Sequence, residues 1–178
     1  MKRWAALLKG VNVGGNRKLP MAELKSFIEG LGFTDVKTLL ASGNVVFSCD
    51  ETAGPVLEQA LETALAGWGL KTDVMVRNLA ELKAVIAANP FPEAARDHPN
   101  HLLVAFHRDP VPDGLIERIP EIYDGPERLK AVGRELYVDF PIDVGNSKLL
   151  PAMAKLKFPK IATMRNWNTV GKLADLLA

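Results

Sequence analysis

The apolar positions of the chain switch between two periods. Residues 4–8, from Trp4 to Leu8, are an unbroken apolar run, the pattern of a short buried strand. Gly10-Val11-Asn12-Val13-Gly14-Gly15-Asn16 follows, and its Gly and Asn content marks a loop. From Pro20 the period becomes helical: Leu24, Phe27, Ile28 and Leu31 recur on one face, with Pro in the first turn and Gly30 and Gly32 at the end. Residues 36–40 and 45–47 predict two strands joined by the turn Ala41-Ser42-Gly43-Asn44. Val56, Leu57, Ala60, Leu61 and Leu65 form the stripe of a second helix over residues 53–66, and residues 72–76 predict a fourth strand. Residues 1–77 thus spell β-α-β-β-α-β, the ferredoxin-like order. A further helix over 79–88 carries Leu82, Val85 and Ile86.

Asn89-Pro90-Phe91-Pro92 stops that helix, and the polar, Pro-rich stretch 89–100 reads as a linker. The order then recurs. Residues 102–106 predict a strand, 115–119 a short helix, and 129–132 with 136–140 a hairpin turning at Gly133. Residues 147–156 predict a helix, 160–163 a short strand and 168–177 a final helix. Ala41-Ser42-Gly43-Asn44 lines up with Ala131-Val132-Gly133-Arg134, and Arg77-Asn78 with Arg165-Asn166. The expected fold class is therefore α+β, with two ferredoxin-like halves by duplication, each an antiparallel sheet with helices on one face. The expected domains are 1–88, the first half with an extra helix, and 101–178, the second half with a C-terminal helix, separated by the linker 89–100.

Composition changes this picture little. Hydrophobic residues make up 48% and charged residues 24% of the 178, as in ordinary globular proteins. No apolar run approaches the ~18 residues of a membrane span, and none has the form of an export signal, so no membrane partner is expected. Cys49 is the one cysteine, which fits a reducing, cytoplasmic setting and a small apolar strand residue. Charge is more informative. The net charge is +1, yet residues 1–22 carry Lys2, Arg3, Lys9, Arg17 and Lys18 with no acid. Residues 144–174 carry Lys148, Lys155, Lys157, Lys160, Arg165 and Lys172, again with no acid. Between them lie 11 basic and 20 acidic side chains. Such basic ends either solvate a surface or attract an anion.

Topology turns these charges into candidate sites. In a split β-α-β unit the exit of the first strand and the tip of the hairpin share one end of the sheet. That end gathers Asn12, Gly14, Gly15 and Asn16 with Ser42 and Asn44, beside Arg17 and Lys18. In the second half the exits of the third and fourth strands share an end. They lead to Ser147-Lys148 and to Arg165-Asn166-Trp167-Asn168, both read as helix starts whose free N–H groups favour an anion. The plain alternatives are a loop that needs positive φ, a hairpin turn, and asparagine caps. Trp167 suits either a core anchor or a platform for stacking a base. Gly10, Gly14 and Gly15 lack the G-x-G-x-x-G spacing, and no G-K-[ST] follows. His98, His101 and His107 have neither cysteine nor paired carboxylate beside them, so no metal site is expected, and no cofactor.

Leu8-Lys9-Gly10-Val11-Asn12-Val13-Gly14-Gly15, Ala41-Ser42-Gly43-Asn44-Val45-Val46-Phe47, Ser147-Lys148-Leu149 and Arg165-Asn166-Trp167-Asn168-Thr169 together resemble an uncharacterised bacterial family, domain of unknown function 1697. The likeness covers essentially the whole chain. The family usually has Arg where this chain has Lys9 and a small residue where it has Met164. The resemblance implies a ferredoxin-like α+β architecture and no established activity. Three function classes follow from the residues: a module binding a phosphate-bearing ligand, nucleotide or single-stranded nucleic acid; a structural or partner-binding protein whose Asn and Gly motifs hold turns; and an enzyme on a small anionic substrate with Lys148 as its chemical residue. No general acid or base for the last is legible, and oligomeric state is not readable.

Overall fold

The computed structural model describes residues 1–11, 19–39 and 43–178. These fall into two compact units, Met1–Ala84 with Lys172–Ala178, and Val85–Gly171. The protein is a mixed α+β fold with two four-stranded antiparallel sheets.

The first unit runs β1 (Lys2–Leu8), α1 (Met21–Gly30), β2 (Thr34–Leu39), β3 (Asn44–Cys49), α2 (Gly54–Trp68) and β4 (Val74–Asn78), then enters α3 (Leu79–Ala87). The strand order is β2-β3-β1-β4. Alternation decides which side chains meet the helices. Trp4, Ala6 and Leu8 of β1 face Leu24 and Ile28 of α1 and Leu57, Leu61 and Leu65 of α2 in one buried cluster. Helix α2 starts with Pro55 in its first turn and ends at Gly69, whose φ of 102° lets the Leu70 amide close back on Leu65 at 2.8 Å.

β4 is an edge strand, so alternate amides face away from β1. All three are occupied by carboxylates. Val74 N donates to Glu62 Oε2 at 2.9 Å, Val76 N to Glu58 Oε2 at 3.0 Å, and Asn78 N to Glu81 Oε1 at 2.9 Å. Glutamates four apart on α2 advance about 6 Å along the helix, close to the ~6.6 Å between alternate strand amides. The helix thus meets the edge amides in register.

The second unit contains α4 (Pro92–Asp97), β5 (Leu102–His107), α5 (Leu115–Arg118), β6 (Arg128–Val132), β7 (Glu135–Asp139), α6 (Leu149–Met153) and β8 (Ala162–Asn166), and α7 (Trp167–Leu177) begins within it. Its sheet has the order β6-β7-β5-β8. Ala105, Leu136, Val138 and Phe140 pack against Leu115 of α5 and Leu149 and Met153 of α6.

Four expectations from the sequence are corrected. The stretch 89–100 holds α4, with Phe91 and Ala94 buried, where a linker was expected. The prolines misled because Pro92 sits at a helix start, where its missing N–H costs nothing. The last strand is Ala162–Asn166, so Arg165 and Asn166 are strand residues paired with β5, as Arg77 and Asn78 are strand residues paired with β1. The expected helix over 147–156 is shortened to Leu149–Met153. The C-terminal segment Lys172–Ala178 groups with residues 1–84, where the sequence placed it with the second half.

Candidate functional site

At the end of the first sheet where β1 exits, two backbone hydrogen bonds converge. Leu8 N donates to Gly43 O at 2.9 Å, and Lys9 N to Asp73 O at 3.0 Å. Thr72 Oγ1 donates to Lys9 O at 2.7 Å. The start of the glycine loop, the hairpin tip and the approach to β4 are therefore one locality. Gly43 has φ +87°, and a Cβ there would lie 3.1 Å from Leu8 Cβ and 3.2 Å from Val11 Cβ. Only a residue without a side chain lets the tip seat this closely. Lys9 and Gly10 are exposed. Asn44 is fully buried and donates through Nδ2 to Leu39 O at 2.8 Å, which holds the turn. Asn12, Gly14, Gly15, Asn16 and Ser42 lie outside the described residues.

The other candidate end, where β7 and β8 exit, is arranged differently from the expectation. The exits do share an end, since Asp139 and Asn166 lie opposite Leu102 and Leu103 of β5. Yet the side chains there are engaged. Ser147 Oγ donates to Glu127 Oε1 at 2.5 Å and accepts Leu149 N at 3.1 Å. Tyr123 OH donates to the same carboxylate, and burial with that bond pushes its pKa up. Gly145 N and Asn146 Nδ2 donate to Asp143. An anion at Ser147 would thus meet Glu127, a carboxylate brought from outside the acid-free stretch.

Arg165 is buried. Its Nη1 donates to Thr163 Oγ1 at 2.6 Å and to Met164 O at 2.8 Å, and burial pulls its pKa down to about 10. Asn166 caps α7, its Oδ1 accepting Thr169 N at 3.0 Å. Asn78 does the same for α3 through Glu81 N at 2.8 Å, and Arg77 Nη1 likewise donates to the preceding carbonyl, Val76 O, at 2.9 Å. Trp167 is half-buried, its ring centroid 6.5 Å from that of Tyr137. Lys148 and Asn168 are exposed.

A group of cations that the sequence reading passed over stands where β5 exits. His107 N donates to Arg134 O at 2.9 Å and Arg108 N to Ile161 O at 3.0 Å, the same pair of closures seen at Leu8 and Lys9. Arg108, Arg134 and Lys160 are thereby neighbours along the backbone. The signal was present: Gly133-Arg134 is the turn that lines up with Gly43-Asn44.

One ionic network was also not foreseen. The Asp139 carboxylate, 2% exposed, bonds His98 Nε2 at 2.8 Å through Oδ1. Its Oδ2 accepts Arg128 Nε at 3.0 Å and Nη2 at 2.7 Å. Arg128 also bonds Glu93 and lies 4.6 Å over the Phe91 ring. That hydrogen bond holds the Glu93 carboxyl below the usual range. The network fastens α4 to the sheet. Among the described residues, no three of His, Cys, Asp and Glu are grouped to hold a metal ion, and no helix is long and apolar enough to cross a membrane.

A family model described as "Protein of unknown function (DUF1697)" matches residues 1–137. The chain belongs to this family. Among solved structures, this DUF1697 protein is similar to the conserved bacterial protein SP0830 from Streptococcus pneumoniae. The identity is 22%, the match covers 99% of each chain, and the TM-score is 0.75. That likeness speaks to the fold of the DUF1697 protein alone. No curated protein matches it.

Proposed function

We propose that this protein binds a phosphate-bearing ligand, a nucleotide or single-stranded nucleic acid, at the sheet ends where β1 and β5 exit. The observation that carries this reading is the repeated pair of backbone closures, at Leu8 and Lys9 in one unit and at His107 and Arg108 in the other. Each closure sets a cationic residue just past a strand end. Lys9 is followed in sequence by Arg17 and Lys18 with no acid before Glu23, and Arg108 is joined by Arg134 and Lys160. Cations on loops fixed by a rigid sheet suit contact with phosphate. The β7 and β8 exits suit a phosphate less well, because Glu127 and Asp143 occupy the donors there.

The same closures, with the matching Arg77-Asn78 and Arg165-Asn166 geometries, support reading the chain as two ferredoxin-like halves made by duplication. Each half would be a domain, with a cytoplasmic setting consistent with the lone buried thiol of Cys49, whose pKa burial pushes up. A second reading, that the protein is structural or partner-binding, draws support from Asn44, Ser147 and Asn166, whose side chains already hold turns and caps. An enzyme centred on Lys148 has the least support, since Ser147 beside it is committed to Glu127.

The test is a thermal-shift screen with nucleoside triphosphates and short single-stranded oligonucleotides, followed by anisotropy at two salt concentrations. A ligand at ~100 times its Kd stabilises by about 2.7 kcal/mol. Replacing Lys9, Arg17 and Lys18 with Ala is expected to weaken binding across all sequences and lower the salt slope by about 0.7 per lost single-strand contact. Binding unchanged both in this triple variant and in Arg108→Ala/Arg134→Ala/Lys160→Ala, or a screen in which neither ligand class raises the melting temperature, sinks the proposal.

A further inference from the structure

Two of the sheet edges, β4 and β6, are treated differently. Glutamates close the outward amides of β4, whereas among the described residues no hydrogen bond reaches the outer side of β6. Beside β6 lie two clefts within the second unit, of about 240 and 210 Å³. Both are walled by Ile116 and Leu129. Asp113 and Glu117 line the first, and Asp124 and Glu127 the second. Glu127 is engaged by Tyr123 and Ser147, but Asp113, Glu117 and Asp124 have no cation bonded to them among the described residues.

We propose that β6 is a docking edge for an extended, lysine- or arginine-bearing segment of a partner protein, which adds as a fifth strand and sets side chains into the two clefts. Three features select that occupant. An unpaired strand edge offers backbone donors and acceptors that only another extended chain matches along its length. An apolar wall with a carboxylate rim fits a side chain that has an aliphatic stem and a cationic head. The charge is one-sided: Lys130 is the basic residue along the first cleft, and alternation sends its side chain to the sheet face opposite Leu129 and Ala131. Lys130 thus contributes backbone rather than charge there. Arg128 is turned the same way, toward Asp139. This site is separate from the phosphate ends proposed above and stands or falls without them.

The experiment uses the full chain and labelled peptides of alternating Lys and Val, alternating Glu and Val, and the Lys–Val peptide N-methylated at alternate amides. Anisotropy is expected to show binding of the Lys–Val peptide alone. The variant Asp113→Asn/Glu117→Gln/Asp124→Asn, altered only at exposed positions, is expected to bind it about tenfold more weakly, the combined effect of three exposed ion pairs. Equal binding of the N-methylated peptide overturns strand addition, and unchanged binding by the triple variant overturns the charge argument. No binding of the Lys–Val peptide overturns the proposal outright. Concentration-dependent dimerisation in sedimentation that the triple variant abolishes makes a second copy the occupant, and overturns the partner segment.

Discussion

Glu58, on α2, accepts the amide of Val76 on the edge strand β4 at 3.0 Å, and the carboxylate is 3% exposed. Its neighbour one turn on, Glu62, serves Val74 in the same way. A buried amide stripped of its acceptor loses about 1–3 kcal/mol. Glu58→Ala is therefore expected to lower the urea unfolding free energy by that amount, and Glu58→Gln, which keeps an amide oxygen as acceptor, by clearly less. Equal losses for the two would mean the hydrogen bond is not what matters. The combined Glu58→Ala/Glu62→Ala/Glu81→Ala variant should in addition self-associate in sedimentation, because an uncapped edge templates another strand.

Gly43 and Gly69 both have positive φ, +87° and +102°, but only Gly43 is crowded. Alanine at Gly69 has nothing within 4 Å of its Cβ and should cost the conformational penalty alone, about 1–2 kcal/mol. Alanine at Gly43 adds contact with Leu8 and Val11 and should cost a further ~1–3 kcal/mol. Denaturant midpoints of the two variants, compared directly, check the difference.

Asp139 is buried between His98 and the half-exposed Arg128. Removing the cation leaves a buried carboxylate under-compensated, whereas removing the carboxylate leaves a guanidinium that can reach water. Arg128→Met is expected to destabilise by about 3 kcal/mol, near the lower end for a broken buried pair, and Asp139→Asn by less. The reverse ranking in urea melts would contradict this account of the network.

Tyr137 donates to Val85 O at 2.6 Å, and burial pushes its pKa from 10.0 up to about 12. The folded state thus keeps its proton where the unfolded chain releases it. The contribution is intact below pH 10 and is lost as pH rises through about 12, a change of roughly 3 kcal/mol. Burial pulls the Arg165 pKa the other way, down to about 10. The difference between wild type and Tyr137→Phe isolates the tyrosine. That difference should open between pH 10 and 12 in melting temperature. In Tyr123→Phe, the single remaining tyrosinate absorbance should titrate near pH 12, and titration near 10 would refute the assignment.

The strands and helices were legible where local pattern carries them. Trp4 to Leu8, the Leu24–Ile28 stripe and the turn at Gly43 each announce themselves within a few residues, and connection rules showed which strand exits share an end of the sheet. What was illegible came from contacts distant in sequence. Glu127 reaches Ser147 across 20 positions, and nothing periodic marks that approach. Arg165 looked like a loop cation because its charge masked a buried strand position. Pro92 looked like a breaker because the same ring that ends one helix begins another. The cations at Arg108, Arg134 and Lys160 were missed because they are neighbours only once the sheet forms.

The first unit takes in the segment Lys172–Ala178, and Arg3 Nη2 donates to Leu176 O at 3.4 Å within it. During translation, residues 85–171 leave the ribosome before that segment does. The unit begun first is therefore completed last. β1 can pair with β3 and β4 early, but the Arg3 bond to Leu176 must wait until the whole of the second unit has been synthesised. Arrest of synthesis after Asn166 and before Lys172 leaves the second unit's strands complete and the first unit without its closing segment.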